Sequence, residues 1–413
     1  MTQPTKLRKI ARSRSIYTSV ALLAVLVILI PWVARKAPGN TLAAGSGNLP
    51  PTGLEHLPSA GFSNDRCAEA GASATRIFRP AGVVANGTAD DYSAIQSAID
   101  TASSSGGGVV RLGAGTYLVD GHLVMKSNVR LTGAGPATII KAGPGFLSST
   151  GPDGGYPLIT TAGASNVTVS NLTADQSGNV LNGNASPGAR FSAFLIDLRN
   201  SHNVLASGVD TRNPFTYSIA VVGSSDFCVI HCHTEVTSTG RYNGLDGIHV
   251  LDSHTGQVIQ NHVDQRIGQD GDDGLVAHTI SAPVYDVLYA GNVVRGGNYG
   301  DGMQLAVGNY PIYDLTIRDN DFYGSPFGIR TGYYATGAGG AVRQVEITGN
   351  DIHNLIPGAA FPHGGNAVDI GGFGAIAPVS SIAVIKNVIC HAGVITVVPG
   401  HGNVVADNLN CPR

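Results

Sequence analysis

The sequence predicts an all-β solenoid, a stack of similar coils of parallel strands, from a repeated strand phrase and from its composition. Short apolar phrases ending at an asparagine recur through the C-terminal half, and the six asparagines are 31, 28, 30, 37 and 21 residues apart: Asn261, Asn292, Asn320, Asn350, Asn387 and Asn408. Such a period is typical of stacked supersecondary units. The 56 Gly and the low charged fraction of 13% favour strands and tight turns over helices. We expect each asparagine to lie at a corner, in the left-handed conformation, and to hydrogen-bond its counterparts on neighbouring coils.

The first 74 residues predict a membrane-targeting segment and a tether. Residues 1–15 form a basic tail, and residues 16–34 form an apolar run that is longer than the core of a usual signal peptide. We therefore expect a transmembrane anchor with the basic tail in the cytoplasm, or a secreted protein if residues 1–44 are cleaved at TLAAG (41–45). Residues 35–74, rich in Pro, Gly, Ser and Ala, predict a flexible linker. The folded domain would then span 75–413, outside the cytoplasm.

Charge limits the class of partner. The formal net charge is −3 and no basic cluster lies beyond the N-terminal tail, so the sequence does not predict a nucleic-acid surface. A solenoid presents a long, shallow outer face that suits a linear polymer. We expect a polysaccharide as the partner and a monomer as the functional unit.

Residues 85–119 predict the N-terminal end of the solenoid. Asp90 or Asp91 can cap a helix over residues 92–104, in which apolar residues recur at helical spacing. Two strands follow, VVRL and TYLV, joined by a GAG turn. An exposed first coil would offer an open sheet edge, so a short amphipathic helix that covers it also protects against aggregation.

This opening motif resembles that of pectin-lyase-like right-handed parallel β-helix proteins, particularly the polygalacturonases of glycoside hydrolase family 28 and related pectate-lyase superfamily domains. The resemblance spans about residues 79–413. It implies a right-handed parallel β-helix with an N-terminal capping helix, preceded here by the transmembrane segment. It does not imply one reaction, because hydrolases, lyases, epimerases and phage tailspikes share the architecture.

The cysteines predict one disulfide. Cys390 and Cys411 each follow the repeated asparagine of their coil by three residues. Equivalent positions on adjacent coils lie about 4.8 Å apart, which is within disulfide range. Cys228 and Cys232 are too far apart along one straight strand to bond to each other, and we expect buried thiols. Cys67 has no partner that the sequence identifies.

Three phrases on successive coils carry the candidate chemistry: GLDGIHV (244–250), QDGDDGLVAHT (269–279) and FGIRTGYY (327–334). They are similar to an ordered polygalacturonase series, in which an Asn-Thr-Asp, an Asp-Asp and an Arg-Ile-Lys phrase follow one another. The resemblance implies that Asp246, Asp272 and Asp273 are catalytic and that Arg330 grips a substrate carboxylate. In an inverting mechanism, Asp272 would protonate the leaving oxygen while Asp246 and Asp273 hold the attacking water, with carboxyl groups about 6.5–9.5 Å apart.

The chain departs from the polygalacturonase pattern at recognition positions. Asp301 replaces the histidine of the Gly-His-Gly phrase, and Gly332 replaces the lysine of Arg-Ile-Lys. Gly244 replaces the first asparagine, although Asn243 stands beside it. We therefore predict a substrate-binding set of Arg330, Asp301 and Asn243, and we expect a glycan other than polygalacturonate.

The sequence is also compatible with functions other than hydrolysis. A polysaccharide lyase or uronate C5-epimerase would use Ca²⁺ bound by the aspartates, with Arg330 as the base, whereas the hydrolase needs no cofactor or metal. A non-catalytic glycan-binding scaffold would explain the missing His and Lys, and GDDG also fits ordinary turn chemistry. His249, His278 and His363 are expected to be structural or surface histidines and not catalytic bases.

Overall fold

The computed structural model describes Cys67 and residues 71–181, 194–236, 244–265, 271–333, 340–371 and 378–411. These residues form coils of short strands stacked along one axis, with every strand pair parallel and with a sheet of 22 strands and a sheet of ten. The arrangement is all-β with parallel strands in stacked sheets, as predicted, and it is consistent with a right-handed parallel β-helix.

The ten-stranded sheet carries the candidate site. Its strands are β5 (Leu123–Val124), β8 (Ile159–Thr160), β10 (Ile196–Arg199), β12 (Ile219–Val222), β15 (Ile248–Leu251), β18 (Leu275–His278), β21 (Met303–Val307), β24 (Ile329–Tyr333), β27 (Val368–Ile370) and β30 (Ile395–Val397).

The 22-stranded sheet forms the remaining faces of the coils. Its strands are β1 (Ile77–Phe78), β2 (Asn86–Asp90), β3 (Gly108–Arg111), β4 (Gly115–Val119), β6 (Val129–Thr132), β7 (Thr138–Ala142), β9 (Ser165–Asp175), β11 (His202–Arg212), β13 (Ser225–Ile230), β14 (His233–Glu235), β16 (His254–Ile259), β17 (His262–Asp264), β19 (Val284–Ala290), β20 (Val293–Arg295), β22 (Ile312–Arg318), β23 (Asp321–Tyr323), β25 (Val342–Thr348), β26 (Asp351–His353), β28 (Val379–Ile385), β29 (Val388–Cys390), β31 (Val404–Ala406) and β32 (Leu409–Asn410).

The core is built from columns of apolar side chains that repeat on every coil. On the ten-stranded sheet the column runs through Ile219, Ile248, Leu275, Met303 and Ile329, all fully buried and in register. Burial of one such side chain contributes about 1.5–3 kcal/mol. Because side chains alternate across a strand, the residues next to this column face outward and are available for a site.

A capping helix covers the N-terminal coil as predicted. Helix α1 spans Tyr92–Ser104, and Ile95, Ala98, Ile99 and Ala102 form its buried face. Asp90 accepts a hydrogen bond from the Tyr92 N–H at 3.0 Å. Asp91 instead accepts the N–H groups of Val84 and Ala85 at 2.7 and 2.9 Å. Its carboxylate therefore holds the preceding loop. A short helix, α2 (Gly178–Leu181), and a 3₁₀ turn (Phe146–Ser148) complete the described helices.

The repeated asparagines form the predicted ladder, with one correction. In each step the Oδ1 of one asparagine accepts both the backbone N–H and the side-chain N–H of the preceding one; for Asn320 and Asn350 these distances are 3.0 and 2.9 Å. The ladder continues from Asn261 to Asn408. The asparagines themselves are not in the left-handed conformation, which the sequence analysis had assigned to them. The preceding residues adopt it, for example Asp319 at φ 55° and Lys386 at φ 56°. That residue turns the chain, and the asparagine then points into the stack.

Two disulfides join the described cysteines. The predicted Cys390–Cys411 bond is present, with Cα atoms 4.9 Å apart on adjacent coils. Cys228 is not the buried thiol that we expected, because it bonds to Cys67 across 161 residues of sequence. Cys232 is a buried free thiol as predicted, and burial raises its pKa to about 12.

The end of the predicted linker contacts the solenoid. Besides the Cys67 bond, the Gly71 N–H donates to Asn203 at 2.7 Å and the Ala72 N–H donates to Thr168 at 2.9 Å. The 1–15 tail and the 16–34 apolar run lie outside the described residues, so the membrane anchor stays a prediction. Within the described ranges, no helix is long and apolar enough to cross a membrane.

Replacing a central ladder asparagine should destabilise the fold strongly. Asn320→Ala leaves the Asn292 donors and the Tyr289 carbonyl without their partner. Each unsatisfied buried group costs about 1–3 kcal/mol, so the free energy of unfolding should fall by about 3 kcal/mol or more in urea denaturation. Asn408→Ala, at the partly exposed end of the ladder, is the control and should cost less because water replaces the lost partner. Equal losses for the two variants would contradict a buried ladder.

The disulfide pattern can be checked by peptide mapping without reduction. We expect Cys67 to be recovered with Cys228 and Cys390 with Cys411, while Cys232 reacts with alkylating reagent only after unfolding. Recovery of Cys228 bonded to Cys232 would contradict the observed pairing.

Candidate active site

Three aspartates occupy the same position on successive coils, just before strands β15, β18 and β21. They are Asp246, Asp273 and Asp301. The Gly247 N–H donates to the Asp273 carbonyl at 3.0 Å, and the Gly274 N–H donates to the Asp301 carbonyl at 2.9 Å. This backbone ladder aligns the three residues along the solenoid axis, so their side chains emerge on one face. The sequence prediction that Asp246 and the Asp272–Asp273 pair project from the same sheet is consistent with this placement.

A glycine follows each of these aspartates because the coils approach closely there. A Cβ atom on Gly247 would lie 2.5 Å from the Gly274 carbonyl oxygen, and one on Gly274 would lie 2.8 Å from the Gly302 carbonyl oxygen. Any larger residue would collide with the next coil. Packing therefore explains the glycine of each Asp-Gly pair, whereas the acidic side chains need a separate explanation.

Asp246, Asp272 and Asp273 form one compact acidic cluster. Each places a carboxylate oxygen within 4.8 Å of the others. Asp246 and Asp273 are 3% exposed, while Asp272 keeps partial contact with solvent. Asp272 accepts the Gly244 N–H at 2.8 Å, and Asp273 accepts the Asp301 N–H at 2.7 Å. Within the described residues, the buried Oδ1 of Asp246 has no hydrogen-bond partner.

Burial and mutual repulsion change the protonation of the cluster. Burial raises the pKa of Asp246 and of Asp273 well above the ordinary value, and the Asp272 charge raises both further. Burial also raises the pKa of Asp272 to about 6, although the Gly244 hydrogen bond opposes the shift. Like charges this close cannot all ionise in a desolvated site. The cluster therefore retains protons near neutral pH and can act as an acid.

Asp301 and Arg330 form a buried ion pair at one end of the cluster. Arg330 Nε donates to Asp301 Oδ2 at 2.6 Å, and the two side chains are 7% and 0% exposed. The guanidinium also lies over the rings of Phe327 and Phe361, with centroids at 5.3 and 5.0 Å. Burial raises the pKa of Asp301, and Arg330 opposes this shift. Part of the arginine's hydrogen-bonding capacity is thus used inside the protein.

Two histidines that the sequence analysis placed outside the site extend the cluster on the other side. His249 Nδ1 lies 2.6 Å from Asp246 Oδ2, and His249 Nε2 lies 3.0 Å from His278 Nδ1. Burial lowers the pKa of His249 well below the ordinary value and lowers that of His278 to about 4. Both imidazoles are therefore neutral near pH 7. The three side chains form a hydrogen-bonded series along which a proton can move.

A signal for these histidines was present in the sequence. In the phrase DGIHV, Ile248 and Val250 are core residues, so strand alternation turns His249 outward onto the face of the aspartates. The same alternation applies to His278 after Leu275 and Ala277. His363, in contrast, is exposed on a loop, as expected. Asn243 lies outside the described residues, so its predicted role in substrate binding stays a prediction.

The sequence matches, over residues 78–351, the model of a family described as rhamnogalacturonase A/epimerase, pectate lyase-like. Mannuronan C5-epimerase AlgE3 of Azotobacter vinelandii is 31% identical over 254 residues, covering 59% of this chain and 13% of that protein. Alginate lyase 7 of the same organism is 31% identical over 203 residues, covering 46% and 22%. The chain thus spans less than a quarter of the length of these relatives.

Among solved structures, an exopolygalacturonase of Thermotoga maritima superposes with a TM-score of 0.64 at 17% identity, covering 84% of this chain and 94% of that one. At this identity the likeness shows the parallel β-helix fold alone.

The raised pKa of Asp272 predicts how stability depends on pH. Between about pH 4 and pH 6 the folded state holds a proton on Asp272 that the unfolded chain has lost, so this residue's contribution to stability falls as pH rises. Asp272→Asn removes this titration and can still accept the Gly244 N–H. The variant should therefore be more stable than the wild type by a margin that grows from pH 4 to pH 7, measured by urea denaturation.

The control for this measurement is Asp252→Asn. Asp252 accepts the Ile280 and Ser281 N–H groups in a turn outside the cluster, so the variant reports the loss of a carboxylate there. A margin for Asp272→Asn that stays constant across the pH range would contradict a raised pKa.

Proposed function

The chain belongs to the rhamnogalacturonase A/epimerase, pectate lyase-like family, and we propose that it acts on a uronate polysaccharide by removing the proton at C5. In this reaction the C5–H bond breaks, the proton passes to a base, and the electron pair moves into the uronate carboxylate. Return of a proton to the opposite face gives the C5 epimer. Expulsion of the C4 oxygen, with a proton delivered to that oxygen, cleaves the chain and leaves an unsaturated uronate.

The observation that carries the proposal is the Asp246–His249–His278 series beside the acidic cluster. Proton abstraction needs a base that is unprotonated at the working pH and held within hydrogen-bonding geometry. The imidazoles meet the first condition because burial keeps them neutral, and Asp246 orients His249 through a 2.6 Å contact. In this proposal the series accepts the C5 proton. Glycoside hydrolysis in its usual form uses carboxyl groups alone and has no role for this histidine pair.

The acidic cluster supplies the second requirement, stabilisation of negative charge. The carboxylate of a uronate gains charge as the C5 proton leaves, and protonated carboxyl groups or a guanidinium can hydrogen-bond to it. Asp273, whose pKa lies well above the ordinary value, can donate such a bond near neutral pH. Asp272, with a pKa of about 6, can donate one below that pH. One of them then delivers the proton to the ring carbon or to the C4 oxygen. Arg330 supports the site through its 2.6 Å contact with Asp301, which opposes the rise in the pKa of Asp301 caused by burial.

The same three aspartates also fit a calcium ion. Their oxygens lie within 4.8 Å of one another, which allows one ion to contact all three at about 2.3–2.6 Å. When bound there, the ion supplies neutralisation of a uronate carboxylate. Asp246, Asp272 and Asp273 are the residues that would hold it.

The curated relatives support a uronate substrate. The matched segments belong to proteins named as mannuronan C5-epimerases and an alginate lyase, and these names describe reactions that share the C5 proton-abstraction step. The choice between epimerisation and elimination depends on whether the C4 oxygen is protonated. Delivery of that proton depends on the pose of the substrate.

Hydrolysis is the second candidate, and the raised pKa values of the aspartates favour it. A carboxyl group that stays protonated near neutral pH is what glycosidic bond cleavage requires of its acid. In this alternative the acid and the water-activating base both come from Asp246, Asp272 and Asp273, whose nearest carboxylate oxygens lie within 4.8 Å of one another.

The experiment is to incubate the full-length protein with polymannuronate, polyguluronate and polygalacturonate in D₂O, with and without a chelator. Epimerisation incorporates deuterium at C5 without new chain ends. Elimination produces unsaturated uronate with its ultraviolet absorbance. Hydrolysis produces reducing ends with neither signal, and a glycan-binding scaffold produces none of the three. We expect deuterium at C5 or unsaturated product.

The matched variants are His249→Gln and His262→Gln. Loss of a positioned base removes about 10²–10⁴-fold in kcat, so His249→Gln should lose activity by that factor while keeping its melting temperature. His262, an exposed histidine that stacks on His233 in the other sheet, should tolerate the change. Reducing ends with unlabelled C5 would sink the proposal in favour of hydrolysis.

A further inference from the structure

Arg199 lies on the outward face of the ten-stranded sheet, toward its N-terminal end. Asp197, two residues before Arg199, is in register with Ala220 on the next coil and with His249 on the coil after that. Two strand spacings of about 4.8 Å place the Asp197 position roughly 10 Å from His249. Arg199 and the candidate site therefore share one continuous face of the solenoid.

The guanidinium of Arg199 is fixed by two acidic side chains. Its Nε donates to Asp197 Oδ2 at 2.8 Å and lies 3.7 Å from Asp153 Oδ2. Asp197 is 2% exposed, whereas the Arg199 side chain keeps 18% exposure. Among the described residues, the contacts of Arg199 with acidic groups are made through Nε. The two terminal NH₂ groups carry four of the five donors of an arginine. They have no hydrogen-bond partner among the described residues.

A stack of planar groups connects Arg199 to His249. The guanidinium lies 5.6 Å from the Phe194 ring centroid. Phe194 stacks on Tyr217 at 4.7 Å and 4°, and Tyr217 stacks on His249 at 4.1 Å and 6°. Stacked aromatic rings therefore fill the space between the arginine and the histidine. Small-molecule sites are typically lined in this way, with a few polar groups that fix the orientation of the ligand.

We propose that Arg199 binds the carboxylate of a non-reacting uronate residue of the same polysaccharide chain. This inference rests on the proposed function. A polyuronate carries one carboxylate on every sugar, so a chain that lies along the solenoid axis presents further carboxylates beyond the reacting one. Arginine suits this task because its planar fork matches a carboxylate and stays charged at all relevant pH values. Arg199 is then a specificity-determining residue, which distinguishes polyuronates from neutral glycans and long chains from short ones.

Arg330 differs from Arg199 in a way that supports this division of roles. It stands three coils from His249 in the opposite direction, through Val276 and Gln304, and its side chain is 7% exposed. Arg330 packs against the rings of Phe327 and Phe361 and is paired with Asp301 at the end of the acidic cluster. Arg199 is more accessible, and its ion pair lies outside that cluster.

The test measures KM and kcat of the full-length protein on a length series of oligouronates. In the wild type, KM should fall with length until the chain reaches Arg199. Arg199→Gln should raise KM for long oligomers by about tenfold, as expected for loss of a charged hydrogen bond, and leave kcat and the KM of the shortest substrates unchanged. Arg199→Lys keeps the charge without the planar fork, so its KM for long oligomers should lie between that of the wild type and that of Arg199→Gln. A merely structural arginine would not produce this dependence on length.

Arg295→Gln is the matched control, because Arg295 pairs with Asp264 at 3.4 Å on the other sheet. The inference is overturned if Arg199→Gln changes KM equally at all lengths, if it lowers kcat, or if Arg295→Gln has the same effect. If circular dichroism shows that Arg199→Gln does not fold, the test uses Arg199→Lys on the same length series. The inference is then overturned if the KM of Arg199→Lys depends on substrate length in the same way as the KM of the wild type.

Binding separates this inference from the proposed function. In the His249→Gln background, calorimetry compares polymannuronate with its carboxyl-reduced, neutral counterpart, with and without Arg199→Gln. Preference for the charged polymer that is reduced by Arg199→Gln supports the inference. The same preference without any effect of Arg199→Gln overturns the inference alone. Absence of any preference for the charged polymer overturns both proposals.

Discussion

The in-register stacking of parallel strands is the constraint on which the rest of this molecule depends. Each coil pairs with the next at about 4.8 Å, so a residue that occurs at one position of a coil meets its equivalents directly above and below. Apolar residues then form continuous columns, and asparagines form a ladder in which one Oδ1 serves two donors of its neighbour. A charged side chain that meets identical side chains at that distance is repelled by them, so another group must offset the repulsion.

The candidate site arises from this constraint applied to charge. The Asp-Gly pairs recur because glycine is required where coils approach closely, and the aspartates that precede them are thereby stacked. Stacked carboxylates repel, and burial increases the cost of ionising them. The protein balances this with Arg330 on one side and the neutral His249 on the other. Stacked acidic groups would destabilise a purely structural scaffold. In this site the same stacking and burial shift the pKa values of the aspartates.

Fold and family membership narrow the chemistry without choosing the reaction. Hydrolases, lyases and epimerases use the same solenoid, and all of them need an acid beside a sugar ring. What distinguishes proton abstraction at C5 is a neutral base in the same place. In the proposed reaction that base is His249, on the outward face of β15. Where the polygalacturonases have their histidine phrase, this chain carries Asp301.

The sequence alone determined the features that depend on local pattern and on period. These are the stacked parallel strands, the capping helix over residues 92–104, the Cys390–Cys411 pair and the placement of Asp246, Asp272 and Asp273 on neighbouring coils, since residue spacing encodes each of them directly. Only the tertiary structure decided which groups meet across coils. The Cys67–Cys228 bond, the Asp301–Arg330 pair and the Asp246–His249–His278 series join residues whose contact depends on loop lengths and on the exact register. The sequence pattern also put the left-handed conformation on the asparagine, whereas the structure has it on the preceding residue. Either residue of the corner satisfies the pattern, and packing then directs the asparagine into the stack.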